Sequence, residues 1–150
     1  MMVKLVIVGA VVLVAVAAAF VAQRRRPAPP SNPTDYTAPA QLDRADFPGP
    51  DAPWLVAVFS SATCSTCAEV WTRAQVLESE VVAVAEVEAQ RDAELHRRYR
   101  IEAVPITVVA DSTGVVRRSF VGPVTSTHLW AAVAELREPG SVPDGCDTGE

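Results

Sequence analysis

The segment Phe59–Cys67 reads FSSATCSTC and holds two of the chain's three cysteines, Cys64 and Cys67, at a spacing of three residues. It continues a short apolar run, Trp54–Phe59 (WLVAVF), of the kind that forms a strand buried on both faces. From Cys64 to about Ser79 the chain has good helix formers with apolar residues at helical spacing. The cysteine pair is therefore predicted to lie where a buried strand gives way to a helix.

This position gives the two thiols different properties. Residues at i and i+3 in a first helical turn lie on one side of the helix, close enough to form a disulfide. The helix N-terminus carries partial positive charge and free N–H groups, which stabilise a thiolate at Cys64. Cys67 lies deeper and can displace a partner bound to Cys64. The context favours a redox couple, and the alternatives are half of a metal site or two unreactive thiols.

A metal site has little support in the sequence. A structural zinc needs four ligands, and the remaining candidates (His96, His128 and Cys146) are scattered over two predicted helices and the C-terminal tail. We expect no metal and no cofactor. His96 lies among arginines, so we expect it on the solvated surface. Cys146 is most simply an exposed thiol without a role, and a resolving role toward Cys64 is the alternative.

The rest of the chain predicts an α/β domain. Further strands are expected at Val81–Val87, Ile106–Ala110 and Val115–Val121, and further helices at Arg91–Arg100 and Thr125–Arg137. The sequence DSTG between the last two strands is a turn signal that makes them an antiparallel hairpin. The order β–α–β–α–β–β–α implies a central mixed sheet with helices on both faces.

In these features the chain resembles the thioredoxin superfamily over about Leu42 to Arg137. The resemblance rests on the strand ending in Phe59, on Cys64-Ser65-Thr66-Cys67, on Val104-Pro105 before the third strand and on Gly122 after the fourth. It implies a thioredoxin-like three-layer sandwich and a thiol–disulfide oxidoreductase that acts on protein or small-molecule disulfides.

The resemblance also implies roles for single residues. Cys64 would attack a partner disulfide, and Cys67 would resolve the mixed disulfide. In that family the proline that matches Pro105 is cis and lies against the disulfide, where the preceding backbone captures an extended substrate segment. Substrate binding is accordingly expected at Val104 and Pro105.

The chain departs from thioredoxin itself around the cysteines. Val58 stands where thioredoxin has a buried aspartate thought to move the proton of the resolving thiol. Ser60 and Thr63 replace tryptophans, and Ser65-Thr66 replaces Gly-Pro. These departures leave a second function open, namely a thioredoxin-fold adaptor that binds a partner protein and has poorly reactive cysteines. A metal or haem-precursor carrier is a third.

The N-terminal region predicts a transmembrane anchor at residues 3–22. Leu5–Ala22 has no polar side chain, and its 18 positions would span roughly 27 Å as a helix, close to the ~30 Å hydrocarbon core of a bilayer. This length favours an uncleaved, single-pass anchor in the cell membrane over a signal peptide. Arg24, Arg25 and Arg26 favour the cytoplasmic side for the following domain, with the extracytoplasmic side as the alternative.

Four regions are therefore expected along the chain. They are the anchor at 3–22, a proline-rich linker at 23–41, the thioredoxin-like domain at 42–137 and a flexible acidic tail at 138–150. The net charge of −5 argues against a nucleic-acid partner, which calls for a basic face. We expect a monomer whose partners are disulfides or dithiols and whose anchor binds the membrane.

Overall fold

The computed structural model describes residues 37–142 of the chain. The predicted anchor at 3–22, the arginines at 24–26, most of the predicted linker and Cys146 lie outside these residues. Within the described range, none of the helices combines the length and the apolar character that crossing a membrane requires.

The described residues contain four strands: β1 (Trp54–Ser60), β2 (Val82–Glu88), β3 (Ile106–Asp111) and β4 (Val116–Val121). They form one sheet in the order β2–β1–β3–β4. β1 runs parallel to β2 and antiparallel to β3, and β3 and β4 form the expected hairpin. The prediction of a central mixed sheet is confirmed, and β1 lies in its interior with a partner on each side.

Three α-helices occur in the same range: α1 (Ser65–Gln75), α2 (Ala93–Arg98) and α3 (Ser126–Arg137). A 3-10 turn at Arg44–Asp46 precedes β1. The order of helices and strands is the predicted one.

Two helices are shorter than predicted. α1 ends at Gln75 instead of near Ser79, because the N–H of Leu77 donates to the carbonyl of Ala74 and tightens the last turn. α2 has six residues. Before α2, the carboxylate of Glu88 accepts a hydrogen bond from the N–H of Arg91. After it, Arg100 has a φ of +54°, which ends the helical conformation.

Side-chain alternation along the strands divides the core between the two faces of the sheet. The α2-side cluster contains Leu42, Phe47, Leu55, Ala57, Phe59, Ala83, Ala85, Val87, Ile106, Val108 and Ala110. The α1/α3-side cluster contains Val56, Val58, Val70, Ala74, Val82, Val84, Val109, Val124, Leu129 and Val133. Helices therefore cover both faces, as the three-layer arrangement requires.

The expectation that His96 is solvated is wrong. The residue is 9% exposed, its Nε2 lies 2.9 Å from the carbonyl oxygen of Val87, and its ring meets Phe59 edge to face with centroids 5.6 Å apart. The neighbouring Arg97 and Arg98 keep more than half of their side-chain surface in solvent. In so short a helix the arginines occupy the outer side, and His96 occupies the side facing the sheet.

The described end of the predicted linker lies against the hairpin. The N–H of Val116 donates to the carbonyl of Ala40, and the N–H of Leu42 donates to the carbonyl of Gly114, at 3.0 and 2.8 Å. The amide of Gln41 adds a bond of 2.8 Å to the carbonyl of Thr113. These bonds hold the entering chain beside the turn between β3 and β4.

Candidate active site

The cysteine pair lies at the N-terminus of α1, directly beyond the central strand. Cys64 is the N-cap residue, and its Sγ accepts the N–H of Cys67 at 3.2 Å. The two sulfurs are joined in a disulfide with Cα atoms 5.3 Å apart. The hydroxyl of Thr66 lies 3.4 Å from the Sγ of Cys64. The sulfur of Cys64 therefore occupies the position at which a helix N-terminus stabilises negative charge.

The two sulfurs differ in their access to solvent. Cys64 is partly exposed, whereas Cys67 is 1% exposed. Cys67, Val70 and Ala74 recur at helical spacing on the side of α1 that is buried against the sheet. A partner molecule can thus reach Cys64 from solvent, while Cys67 is covered by its own domain.

The loop before the cysteines is held by two carboxylates of the neighbouring strand β2. The hydroxyl of Ser60, a residue 1% exposed, donates to Oε1 of Glu86 at 2.8 Å. The N–H of Ala62 donates to Oε1 of Glu88 at 3.0 Å. Within the loop, the N–H of Cys64 donates to the carbonyl of Ser61 at 3.0 Å. The position of Cys64 is therefore tied to β2 as well as to its own strand.

Glu88 acts as a fixed anion in this loop. The main-chain N–H groups of Arg91, Ala62 and Gln90 donate to its carboxylate and lower the pKa of Glu88 below its ordinary value. The group stays ionised at neutral pH, so its hydrogen bonds to the loop persist there.

Val104 and Pro105 lie at the same end of the sheet as the cysteines. The peptide bond between them is cis. Because Phe59 pairs with Ile106, Pro105 lies beside the point where β1 runs into the cysteine loop. Pro105 is buried and its carbonyl accepts the N–H of Gly122 at 2.8 Å, while Val104 is partly exposed. The four residues singled out from the sequence thus come together at one end of the fold.

Sequence reasoning missed the part played by Glu86 and Glu88. In the sequence they are only the polar residues at the end of an apolar run. A signal was present, because strand alternation places them on the same face as Val82 and Val84, which α1 and α3 cover. Two carboxylates on the helix-covered face of an apolar strand need partners, and here Ser60 and Ala62, at the start of the cysteine loop, are among them.

The described residues offer no alternative metal site. No group of three or more His, Cys, Asp or Glu side chains within residues 37–142 is arranged to hold an ion. His96 already uses Nε2 on the carbonyl of Val87, and the sulfurs of Cys64 and Cys67 are bonded to each other.

No family model and no curated protein sequence matches the chain. Solved structures do match it. A mutant thioredoxin from Halobacterium salinarum is 22% identical, with a TM-score of 0.53 over 62% of this chain and 80% of its own. The germline-specific thioredoxin Deadhead of Drosophila melanogaster is 23% identical, with a TM-score of 0.51 over 58% of this chain and 84% of its own. These likenesses show that the domain has the thioredoxin fold.

Proposed function

We propose that this thioredoxin-fold chain is a thiol–disulfide oxidoreductase whose redox couple is Cys64 and Cys67. The observation that carries the proposal is the unequal placement of the two sulfurs. Cys64 lies at the helix N-terminus with access to solvent, and Cys67 is buried within bonding distance of it. This is the arrangement that an attacking thiolate and a shielded resolving thiol require.

The reaction proceeds through a mixed disulfide. In the reduced couple, the Cys64 thiolate attacks one sulfur of a partner disulfide, forms a new S–S bond and releases the other sulfur as a thiolate. The Cys67 thiolate then attacks the Sγ of Cys64, restores the disulfide within the chain and releases the second partner thiolate. The partner gains two electrons and the couple loses two. Run in reverse, the same steps oxidise a dithiol partner.

Val104 and Pro105 are proposed to bind the partner beside the couple. The proposal is supported by the position of this segment next to the end of β1. Partial exposure of Val104 leaves it open to an extended partner segment. We expect Val104→Ser to raise KM for a peptide disulfide severalfold with little change in kcat, as loss of uniform binding does. Val104→Thr, which preserves the branched shape, is the matched control.

Cysteine variants test the main proposal. With dithiothreitol as electron source, the parent should reduce a labelled peptide disulfide, and Cys64→Ser should lose at least about 100-fold in rate because it removes the nucleophile. Reduced Cys67→Ser, freed of dithiothreitol and mixed with the peptide disulfide, should accumulate a mixed disulfide that is visible by intact mass. Cys146→Ser serves as the thiol control and should match the parent. A Cys64→Ser variant as active as the parent would overturn the proposal.

An adaptor with unreactive cysteines is the second candidate. It is favoured by Val58, which is fully buried in the α1/α3-side cluster and supplies no acid near the couple. Thiol titration of the reduced protein separates the two functions. Two thiols that both titrate near about 8.5 would favour the adaptor, whereas a clearly lower value for Cys64 would favour the oxidoreductase.

The membrane anchor and its orientation are proposed from the sequence alone. Residues 3–22 would hold the domain at the cell membrane as a monomer, and the arginines at 24–26 favour its cytoplasmic side. In a Cys146→Ser background, a membrane-impermeant thiol reagent should label Cys64 only after cells are permeabilised. Labelling of intact cells would place the domain outside the cytoplasm, where disulfide formation is the natural task.

A further inference from the structure

We propose that Glu86, acting through the hydroxyl of Ser60, takes up the proton that Cys67 must lose when it resolves the mixed disulfide. The inference rests on the proposed function and extends it to the proton of the Cys67 thiol. The fully buried Val58 has an apolar side chain and cannot accept that proton. The fold supplies a carboxylate from the neighbouring strand instead.

The need for an acceptor follows from the burial of Cys67. A thiol attacks a disulfide only as its thiolate, and a sulfur in apolar surroundings holds its proton more firmly than one in water. Cys67 is 1% exposed, so bulk water has little direct access to it. A polar group inside the domain would give the proton a way out.

Ser60 is a buried polar residue at the end of the strand that leads to the cysteines. It ends β1, is 1% exposed and continues the alternation of Val56 and Val58 on the face that α1 covers. Cys67 lies in the first turn of α1, on the same side of the helix as Val70. Ser60 and Cys67 thus lie where the central strand ends and the helix begins.

Glu86 connects Ser60 to solvent. The hydroxyl of Ser60 donates to Oε1 of Glu86 at 2.8 Å, which leaves the lone pairs of the hydroxyl oxygen available to accept a proton. In the parallel register Glu86 of β2 is the partner of Val58, so the two side chains lie next to each other on the same face of the sheet. The Glu86 side chain keeps 25% of its surface exposed and can return a proton to water.

The proton transfer balances with the electron transfer. As the S–H bond of Cys67 breaks, its proton passes to the oxygen of Ser60, and the hydroxyl proton of Ser60 passes to the carboxylate of Glu86. The electron pair left on Cys67 forms the bond to the Sγ of Cys64. The bond between Cys64 and the partner breaks, and the partner leaves as a thiolate.

The charges around Glu86 belong to β2 and to the loop that follows it. Arg91 has its Nη1 3.8 Å from Oε2 of Glu86. The carboxylate of Asp92 pairs with the same guanidinium at 2.9 Å, and the anionic Glu88 lies two residues further along β2 on the same face. On α1, Glu69 and Arg73 pair with each other at 2.9 Å.

The test measures how fast the mixed disulfide resolves as a function of pH. Cys64 is first loaded with a chromogenic thiol, and release of that thiol by Cys67 is followed in the parent and in Glu86→Gln. We expect release by Glu86→Gln to be about 100-fold slower near pH 6.5, the size of effect usual for a positioned base. The two rates should converge at high pH, where hydroxide removes the proton. Ser60→Ala should share this profile, and Glu86→Asp should recover part of the rate.

Two controls separate this inference from the proposed function. Glu94→Gln removes an exposed carboxylate from α2 and should leave the pH profile unchanged. In a Cys67→Ser background, the rate at which Cys64 forms the mixed disulfide should be the same with and without the Glu86→Gln change, because that step does not use the Cys67 proton. Failure of the Cys67→Ser variant to form any mixed disulfide would overturn the proposed function.

One result of the same experiment would contradict the proton pathway alone. Resolution by Glu86→Gln or by Ser60→Ala with the parent's rate and pH profile would overturn the pathway while leaving the oxidoreductase intact. Thermal melting of each oxidised variant shows whether it is folded. If Glu86→Gln does not fold, the Ser60→Ala profile decides, because that change leaves both carboxylates of β2 in place.

Discussion

Gly114 lies where the structure leaves no space for a side chain. Gly114 has a φ of +81°, and a Cβ built there would lie 2.0 Å from the carbonyl oxygen of Leu42. Its own carbonyl accepts the N–H of Leu42 at 2.8 Å. The turn between β3 and β4 and the chain that enters the domain therefore meet at a residue that must be glycine.

We expect Gly114→Ala to lower the free energy of unfolding by about 3 kcal/mol, because it combines left-handed strain with a clash against main-chain atoms. Gly140→Ala is the matched control, since Gly140 has a φ of +85° and a Cβ added there would have no atom within 4 Å. The control should cost about 1 kcal/mol, from strain alone. Urea unfolding measures both variants, and equal losses would contradict the steric argument.

Single residues also show where sequence reasoning succeeds and where it stops. Cys64 and Cys67 could be recognised because their spacing and their place after a strand are local properties of the chain. The burial of His96 could not be recognised, because it depends on which side of a six-residue helix meets the sheet. The bond between Ser60 and Glu86 joins residues 26 apart in sequence, and only strand register brings them together.

The existence of each helix and strand is more predictable from the sequence than the residue at which it ends. Strand positions follow from apolar runs, and the sequence offers Thr125 or Ser126 as the cap of the last helix, of which the structure uses Thr125. Its hydroxyl accepts the N–H of His128 at 3.2 Å. The end of α1 is not predictable, because Leu77 and Glu78 beyond Gln75 have good helix propensity and the chain nevertheless turns there to reach β2.

The cap of α3 offers a test at the level of one helix. Thr125→Ala should destabilise the domain by about 1 kcal/mol, because an N–H group of the first turn loses its acceptor. Thr127→Ala changes an exposed residue inside the same helix and should cost less than about 0.5 kcal/mol. Thermal unfolding compares the two, and an equal loss in both would argue against capping.

The hairpin between β3 and β4 has a built-in dependence on pH. The hydroxyl of Thr113, the guanidinium of Arg117 and the N–H groups of Thr113 and Val115 lower the pKa of Asp111 to about 2. A carboxyl with a depressed pKa stabilises the fold at pH values above its unfolded value, and this contribution disappears as pH falls through the folded value.

We therefore expect Asp111→Asn to be less stable than the parent at pH 7 by about 1 kcal/mol, a modest figure because solvent screens the ion pair with Arg117. The difference should shrink between about pH 4 and pH 2 as the parent protonates. Urea unfolding at several pH values measures it. Asp51→Asn, in an exposed loop, is the control, and a parent–variant difference that stays constant down to pH 2 would contradict the assignment.

Across the whole molecule, the two core clusters share one sheet and should unfold together. Phe59 in the α2-side cluster and Leu129 in the α1/α3-side cluster are both fully buried. Phe59→Ala should cost about 3–5 kcal/mol and Leu129→Ala about 2–5 kcal/mol, because each leaves a cavity. Val76→Ala, at a position 66% exposed, should change stability little.

Circular dichroism and tryptophan fluorescence would follow these variants in urea. Coincident transitions by both probes are expected for each, since neither cluster can separate from the strands that it shares with the other. Transitions that divide into two steps, with one cluster lost first, would contradict a single cooperative domain.

The interior position of β1 also determines how the domain fluctuates in its native state. Strands at the edge of a sheet open transiently and exchange their amide hydrogens early, whereas a strand paired on both sides exchanges only when the whole domain unfolds. β1 has β2 on one side and β3 on the other, and the cysteine loop leaves directly from its end. We expect the amides of Leu55–Phe59 to be the slowest to exchange with deuterated solvent. The cysteines are therefore attached to the part of the molecule that local breathing disturbs least.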